Sequence, residues 1–164
     1  MFKLKICGNN FDMKKLILFG FFVVFWSMCF YNNLYFYDTL KSLNIGSYSV
    51  FGSGDFTLNN YTNLVRSQGV KIYTFEGDSN LEKSKVKEAL CEQVVVVDFD
   101  INKYIKNNNL KLVKTECMDG IKVSYFLCKK LPKKTFCNQD VFNIVIAQRS
   151  DSTVIGYPAI MGSF

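Results

Sequence analysis

Histidine is absent from the 164 residues of this chain. Its absence excludes Ser-His-Asp triads, Cys-His dyads and His-ligated zinc sites, because each of these needs an imidazole. Proline occurs only twice, which excludes Pro-rich linkers. Hydrophobic residues make up 49% of the chain and aromatic residues 16%. This composition supplies enough apolar surface to bury in a core, and it argues against intrinsic disorder. The length fits one domain with a short appendage.

Charge is missing from one stretch near the N-terminus. Residues 16–30 are mostly apolar and uncharged, whereas residues 1–15 carry four lysines and one aspartate. This order is typical of a secretory signal or a signal-anchor whose basic end stays in the cytoplasm. With the aromatic residues that follow, we expect a cytoplasmic segment at 1–15, a membrane anchor or signal at 16–37 and one extracytoplasmic domain at 38–164. The alternatives are a cleaved signal with a secreted domain, and a helix buried in a cytosolic protein.

The domain beyond this segment is only mildly basic. The first 30 residues contribute +3 of the net charge of +6, which leaves +3 for residues 31–164. A nucleic-acid-binding domain is expected to carry a strong basic stripe. The sequence therefore predicts no nucleic-acid partner.

Hydrophobic periodicity predicts an α+β domain with helices first and an antiparallel meander last. Residues 101–109 are ambiguous by pattern. The predicted helices are 38–44, 57–68 and 80–91. The predicted strands are 47–51, 70–75, 93–99, 110–117, 121–128, 141–148 and 153–160. Asp119-Gly120 is a two-residue hairpin signal between the fourth and fifth of these strands.

Four cysteines lie in the predicted extracytoplasmic domain, where disulfides are favoured. The hairpin register places Cys117 opposite Lys122 and Cys128 opposite Lys111, so a bridge between Cys117 and Cys128 is excluded. Cys128 and Cys137 bracket the next loop and form the candidate disulfide; the alternative is free, buried thiols. The chain has no Cys-x-x-Cys pair, so no metal site is predicted.

Two charged motifs are candidate sites. Asp98 and Asp100 fall on one face of an extended segment, where two carboxylates suit a cation or an acid–base pair; solvated surface acids are the alternative. The densest basic cluster of the domain suits anionic lipid headgroups or anionic wall polymers, although a loop of this kind is also found simply solvated. The lysines of this cluster are Lys129, Lys130, Lys133 and Lys134.

The C-terminal third resembles the YwmB family of exported proteins in Gram-positive bacteria. The resemblance is carried by residues 142–149 (FNIVIAQR) and 153–160 (TVIGYPAI), with the preceding hairpin and the N-terminal segment in the same order. It implies a TATA-box-binding-like fold, which is a curved antiparallel sheet backed by helices, and implies no catalytic residues. The four cysteines and the pattern over residues 93–109 depart from the family.

These observations predict a non-enzymatic binding domain outside the cytoplasm, either membrane-tethered or secreted, that needs no cofactor. Its expected partners are the membrane, through residues 16–37, and an envelope protein or anionic polymer. The alternative function is an enzyme acting on envelope material through Asp98 and Asp100.

Overall fold

The computed structural model describes residues 4–6, 9–11, 35–53, 61–67, 69–77 and 89–161. The chain divides into two units, Met1–Leu34 and Tyr35–Phe164. In the first unit, β1 (Leu4–Ile6) and β2 (Asn9–Phe11) form an antiparallel pair.

The predicted membrane segment lies mostly outside the described residues, which resume at Tyr35. Within the described ranges, no helix has the length and apolar composition needed to span a membrane. The last three residues of that segment belong to the second unit, so the folded unit begins three residues before the boundary predicted at Asp38. Phe36 is buried there, and its ring stacks on that of Tyr157 with 5.4 Å between the centroids.

The second unit contains an eight-stranded antiparallel sheet. Its strands are β3 (Asn44–Gly52), β4 (Asn63–Ser67), β5 (Val70–Glu76), β6 (Cys91–Val97), β7 (Lys111–Met118), β8 (Ile121–Leu127), β11 (Ile144–Gln148) and β12 (Thr153–Tyr157). They lie side by side in the order β4-β5-β3-β6-β12-β11-β8-β7. The helices among the described residues are a short 3-10 helix (Phe36–Thr39) and α1 (Ile101–Asn108). A separate hairpin pairs β9 (Thr135–Cys137) with β10 (Asp140–Phe142). The domain is therefore mostly antiparallel sheet with one α-helix in its described part, which confirms the α+β class.

The predicted order of helices first and strands last is wrong for the described residues. In the segment predicted as a helix over 57–68, residues 63–67 form β4. Residues 61 and 62 are described outside any helix or strand, and the other residues of the segment lie outside the described residues. Tyr61 and Val65 belong to the apolar stripe that suggested a helix, yet both side chains are over 40% exposed. Because pairing with β5 satisfies the backbone of β4, the local helical spacing does not decide the structure.

The two other predicted helices also differ from the structure. Over residues 38–44, the 3-10 helix ends at Thr39, and β3 begins at Asn44. Residues 80–88 lie outside the described residues, and Cys91 already belongs to β6.

The C-terminal meander is confirmed, including the Asp119-Gly120 turn. Met118 pairs with Ile121 and Cys117 with Lys122, as the two-residue turn predicts. At the far end of the hairpin the predicted register is wrong by one residue. Lys111 lies opposite Leu127 rather than Cys128, because an irregularity between Leu112 and Lys114 adds one residue to β7.

The ambiguous segment 101–109 forms α1, and its caps explain why. The Asp100 carboxylate accepts hydrogen bonds from the backbone N–H groups of Asn102 and Lys103, both at 3.0 Å. Asn109 ends the helix in the left-handed conformation, with φ of 51°. Aspartate is among the preferred N-cap residues, and asparagine tolerates the left-handed C-terminal position.

Both faces of the central sheet are covered. On one face, Phe36 packs on Tyr157, and Thr39 hydrogen-bonds the Tyr104 hydroxyl of α1 at 3.0 Å. The opposite face carries a second apolar cluster, consisting of Val123, Phe142, Val145, Ala147 and Val154. This coverage explains why β11 and β12 are almost entirely buried, as continuous apolar runs predict.

Gly156 allows the chain after β12 to fold back over the sheet. A Cβ atom at this position would collide with the carbonyl oxygen of Ala159 and lie 2.7 Å from its carbonyl carbon. These obstacles are backbone atoms, which cannot rotate away as the end of a side chain can.

We predict that Gly156→Ala destabilises the domain by about 2 kcal/mol or more, because overpacking against fixed atoms forces the backbone to shift. Gly46→Ala is the matched control, since a Cβ there would meet its nearest neighbour, the Val95 carbonyl oxygen, at 3.6 Å. Urea unfolding of both variants measures the difference. Equal stability of the two variants would contradict the packing explanation.

Candidate functional site

The basic cluster predicted from the sequence forms an anchored loop. We call residues 128–134, between β8 and β9, the basic loop. The Cys128 backbone N–H donates to Oδ1 of Asn143 at 2.7 Å, and Nδ2 of Asn143 donates to the carbonyls of Cys128 (2.8 Å) and Leu131 (3.2 Å). Asn143 is fully buried, and Leu131 is buried as well. One asparagine therefore fixes both ends of the first turn of the loop.

Asn143 can do this because it interrupts the strand between β10 and β11. Its own backbone N–H donates to the Phe126 carbonyl at 2.9 Å, so the chain stays beside β8 while the side chain reaches the loop. Buried polar groups need such partners, because an unpaired amide in the core is costly. The loop geometry thus follows from the hydrogen-bonding needs of one residue.

The four lysines of the cluster do not act alike. Lys129, Lys130 and Lys134 are exposed, whereas Lys133 is half-buried. The Lys133 backbone N–H donates to the Tyr157 hydroxyl at 2.9 Å, and its Nζ donates to the Ala89 carbonyl and lies 6.0 Å from the centroid of the Tyr157 ring. Lys133 therefore holds the loop against the sheet, and the surface charge comes from the other three lysines.

The three exposed lysines of the basic loop differ from Lys114 in their ion pairing. Within the described part of the chain, no carboxylate lies within ion-pair distance of Lys129, Lys130 or Lys134. Lys114, by contrast, is paired with Glu116 at 2.8 Å. The basic loop therefore presents positive charge at its surface that no described carboxylate pairs with directly.

Beneath the loop lies a buried carboxylic acid. Glu92 on β6 is 7% exposed and sits opposite Tyr157 of β12 in the sheet. Burial raises the pKa of Glu92 to about 7, while a hydrogen bond from the Tyr48 hydroxyl and the positive charge of Lys133 act in the opposite direction. Lys133 thus connects the basic loop electrostatically to an acid that titrates near neutral pH.

The neighbouring thiol does not make this cluster a nucleophilic site. The Sγ of Cys91 donates to the Ala159 carbonyl at 2.6 Å, and burial raises the pKa of this thiol to about 11. Since the thiolate is the reactive form, Cys91 remains protonated and inert at neutral pH.

Asp98 and Asp100 do line one small cavity, of about 100 Å³, together with Lys103 and Tyr104. Asp100 is engaged as the N-cap of α1, and Asp98 is exposed, with φ of 54°. In the described part of the chain, no group of three Cys, Asp or Glu residues is placed to hold a metal ion. The structure gives Asp100 a capping role that the sequence prediction did not include.

The candidate disulfide is not formed in the structure. Cys128 is buried with its Sγ 3.9 Å from the Asn108 carbonyl, whereas Cys137 is exposed on β9, and both thiols are free. The alternative of free, buried thiols describes Cys91 and Cys128.

Sequence reasoning overlooked Glu92 and Asn143. Each left a signal, because each is a polar residue within an apolar strand pattern. Glu92 is the only charged residue of β6 and shares its face with buried Val94 and Val96. Asn143 separates buried Phe142 from buried Ile144. A polar residue at a core position indicates a specific hydrogen-bonding partner.

Comparison with known proteins adds no relative. No family model, no curated protein and no solved structure matches the chain. The resemblance to the YwmB family therefore stays a prediction.

The titration of Glu92 predicts a pH-dependent stability. The pKa of Glu92 in the folded domain, about 7, lies above its ordinary value of 4.5. The unfolded chain therefore loses this proton first, and stability falls as pH rises from 4.5 to 7. Glu92→Gln keeps an acceptor for Tyr48 and cannot ionise. We expect the wild type to lose about 3 kcal/mol relative to this variant between pH 4.5 and pH 7.5.

Urea unfolding of both proteins across this pH range measures the effect. Glu116→Gln is the control, because its pKa is lowered by the Lys114 hydrogen bond, so the wild type should not lose stability relative to this variant as pH rises. Parallel stability curves for wild type and Glu92→Gln would show that Glu92 does not titrate as described.

Proposed function

We propose that this chain is a non-enzymatic, extracytoplasmic domain that binds anionic envelope polymers and is tethered to the membrane by residues 16–34, the part of the predicted segment that precedes the folded unit. The contact would be made by Lys129, Lys130 and Lys134. The observation that carries the proposal is that these three exposed lysines, none of which pairs with a described carboxylate, lie on one loop fixed by Asn143.

The anchoring of the loop favours binding because less flexibility is lost when a ligand arrives. Asn143, the buried Leu131 and the contacts of Lys133 hold the loop backbone, so only the lysine side chains remain to be ordered. Preorganisation of this kind raises affinity without adding contacts.

The charges of the three lysines set the expected gain in affinity for an anionic polymer. A lysine near an anionic surface contributes about 1 kcal/mol, so three lysines contribute about 3 kcal/mol, or roughly 100-fold in affinity. This contribution must weaken with added salt, because exposed charges are screened beyond a Debye length of about 8 Å at physiological ionic strength.

The proposal includes the finer assignment to a YwmB-like, TATA-box-binding-like fold. Its support is that the two motifs behind the resemblance form β11 and β12, which are neighbouring strands near the middle of the sheet. A binding role is favoured over catalysis because Asp100 serves as a helix cap and burial keeps the thiol of Cys91 protonated.

We predict that replacing Lys129, Lys130 and Lys134 together by glutamine lowers the affinity for polyphosphate by about 100-fold. The variant should therefore elute from a polyphosphate resin at a lower salt concentration than the wild type. The full chain is used in non-ionic detergent, and the salt concentration at elution is measured. The control replaces Arg66, Lys103 and Lys122, which are also exposed basic residues but lie outside the loop, by glutamine. Identical elution of both triple variants would overturn the role of the basic loop.

The tethered topology is tested separately in intact cells. With different epitope tags at the two termini, external protease should remove the C-terminal tag and spare the N-terminal one. A C-terminal tag that appears in the medium without the N-terminal tag would indicate the secreted form. Protection of both tags until the cells are lysed would overturn the extracytoplasmic address.

A further inference from the structure

The strand β7 is an edge of the eight-stranded sheet, with β8 as its only ladder partner among the described strands. Its hydrogen-bonding positions follow from the hairpin. Met118 and Ile121 flank a two-residue turn and form a hydrogen-bonded pair, and such pairs alternate along an antiparallel ladder. Glu116 and Lys114 therefore bond towards β8, and the backbone groups of Thr115 and Cys117 point away from the sheet.

Two charged side chains in the middle of this edge, Lys114 and Glu116, are held in place by Tyr125 of the neighbouring strand β8. Lys114 Nζ lies 2.8 Å from Glu116 Oε1, and the Tyr125 hydroxyl donates to Glu116 Oε2 at 3.0 Å. Lys114 Nζ also lies 4.7 Å from the centroid of the Tyr125 ring. Lys114 Nζ also lies 3.9 Å from Asp140 Oδ2 on β10. These contacts hold Lys114 and Glu116, one positive and one negative charge, on the same face of β7, two residues apart.

We propose that β7 pairs with β7 of a second copy of this chain, antiparallel and with Thr115 opposite Thr115. This register places Lys114 of each copy opposite Glu116 of the other. Thr115 also has the outward backbone groups that a hydrogen-bonded central pair requires. The two eight-stranded sheets then form one continuous sheet, and a twofold axis at Thr115 relates the two copies.

The charges select this register. Moving the axis by one residue sets Lys114 against Lys114 or Glu116 against Glu116, and like charges directly opposite are destabilising. With Thr115 at the axis, the two copies instead form a square of four alternating charges on one face. The pattern is thus complementary to itself.

Lysines and bulges at an edge usually prevent pairing with other chains. Both are present here, since Lys114 lies beside the irregularity between Leu112 and Lys114. The bulge limits the regular part of the edge to the residues from Lys114 to Met118. In the proposed register, Lys114 of each copy faces Glu116 of the other copy, so the features that reject other strands admit a second β7.

Cross-linking tests the register. The full chain, in non-ionic detergent, carries Thr115→Cys with Cys7, Cys29, Cys117 and Cys137 replaced by serine. A hydrogen-bonded pair has Cα atoms about 5.5 Å apart, which a disulfide can span. Under mild oxidation we expect a disulfide-linked dimer. Met118→Cys in the same background is the control, since in this register the two copies of residue 118 are roughly 20 Å apart.

Charge exchange tests the partner. In the Thr115→Cys background, Lys114→Glu or Glu116→Lys alone should reduce the dimer yield about tenfold, because like charges then face each other. Mixing the two variants should restore the yield to within about twofold of the parent, since only the mixed dimer has opposite charges in place. Neither variant can form the Lys114–Glu116 ion pair within its own chain, so the rescue reports the contact between the two copies. Equal cross-linking of Thr115→Cys and Met118→Cys, or no rescue on mixing, would overturn the proposal.

Discussion

The pairing of β6 with β12 holds the domain together. These two strands join the three strands formed by residues 44–76 to the C-terminal meander, and their register runs from Thr153 opposite Val96 to Tyr157 opposite Glu92. Tyr157, at the end of β12, contacts both the 3-10 helix and the basic loop. Its ring stacks on Phe36, and its hydroxyl accepts the Lys133 N–H. If this ladder were lost, the N-terminal 3-10 helix and the basic loop would both lose their support.

The same ladder explains how a polar cluster can exist in an apolar core. Glu92 points to the face that carries Val94 and Val96, where an ionised carboxylate would be costly. A hydrogen bond from Tyr48 and the nearby charge of Lys133 reduce this cost but do not remove it, so the pKa of Glu92 remains high. Lys133 therefore acts on both features, because its charge lowers the cost of ionising Glu92 and its backbone N–H holds the basic loop to Tyr157.

Surface charge on this domain is organised in two ways. The lysines at positions 129, 130 and 134 have no described acidic partner in contact, and they suit a polyanion. Lys114 is paired with Glu116 of its own strand and also lies 3.9 Å from Asp140, and the alternation of Lys114 and Glu116 suits a strand of the same sequence. The proposed functions differ because an unpaired charge attracts any opposite charge, whereas a paired row specifies a register.

The sequence by itself determined the local elements whose signals are short-range. The Asp119-Gly120 turn set the hairpin register near Met118 and Ile121, and continuous apolar runs predicted β11 and β12. Only the tertiary structure decided that residues 63–67 form an edge strand, because pairing with β5 overrides helical spacing. It also decided that the Lys133 side chain contacts the Ala89 carbonyl and that Glu92 accepts a hydrogen bond from Tyr48, which lies 44 residues away along the chain. Such roles depend on which strands become neighbours, and a pattern within one segment carries no information about its neighbours.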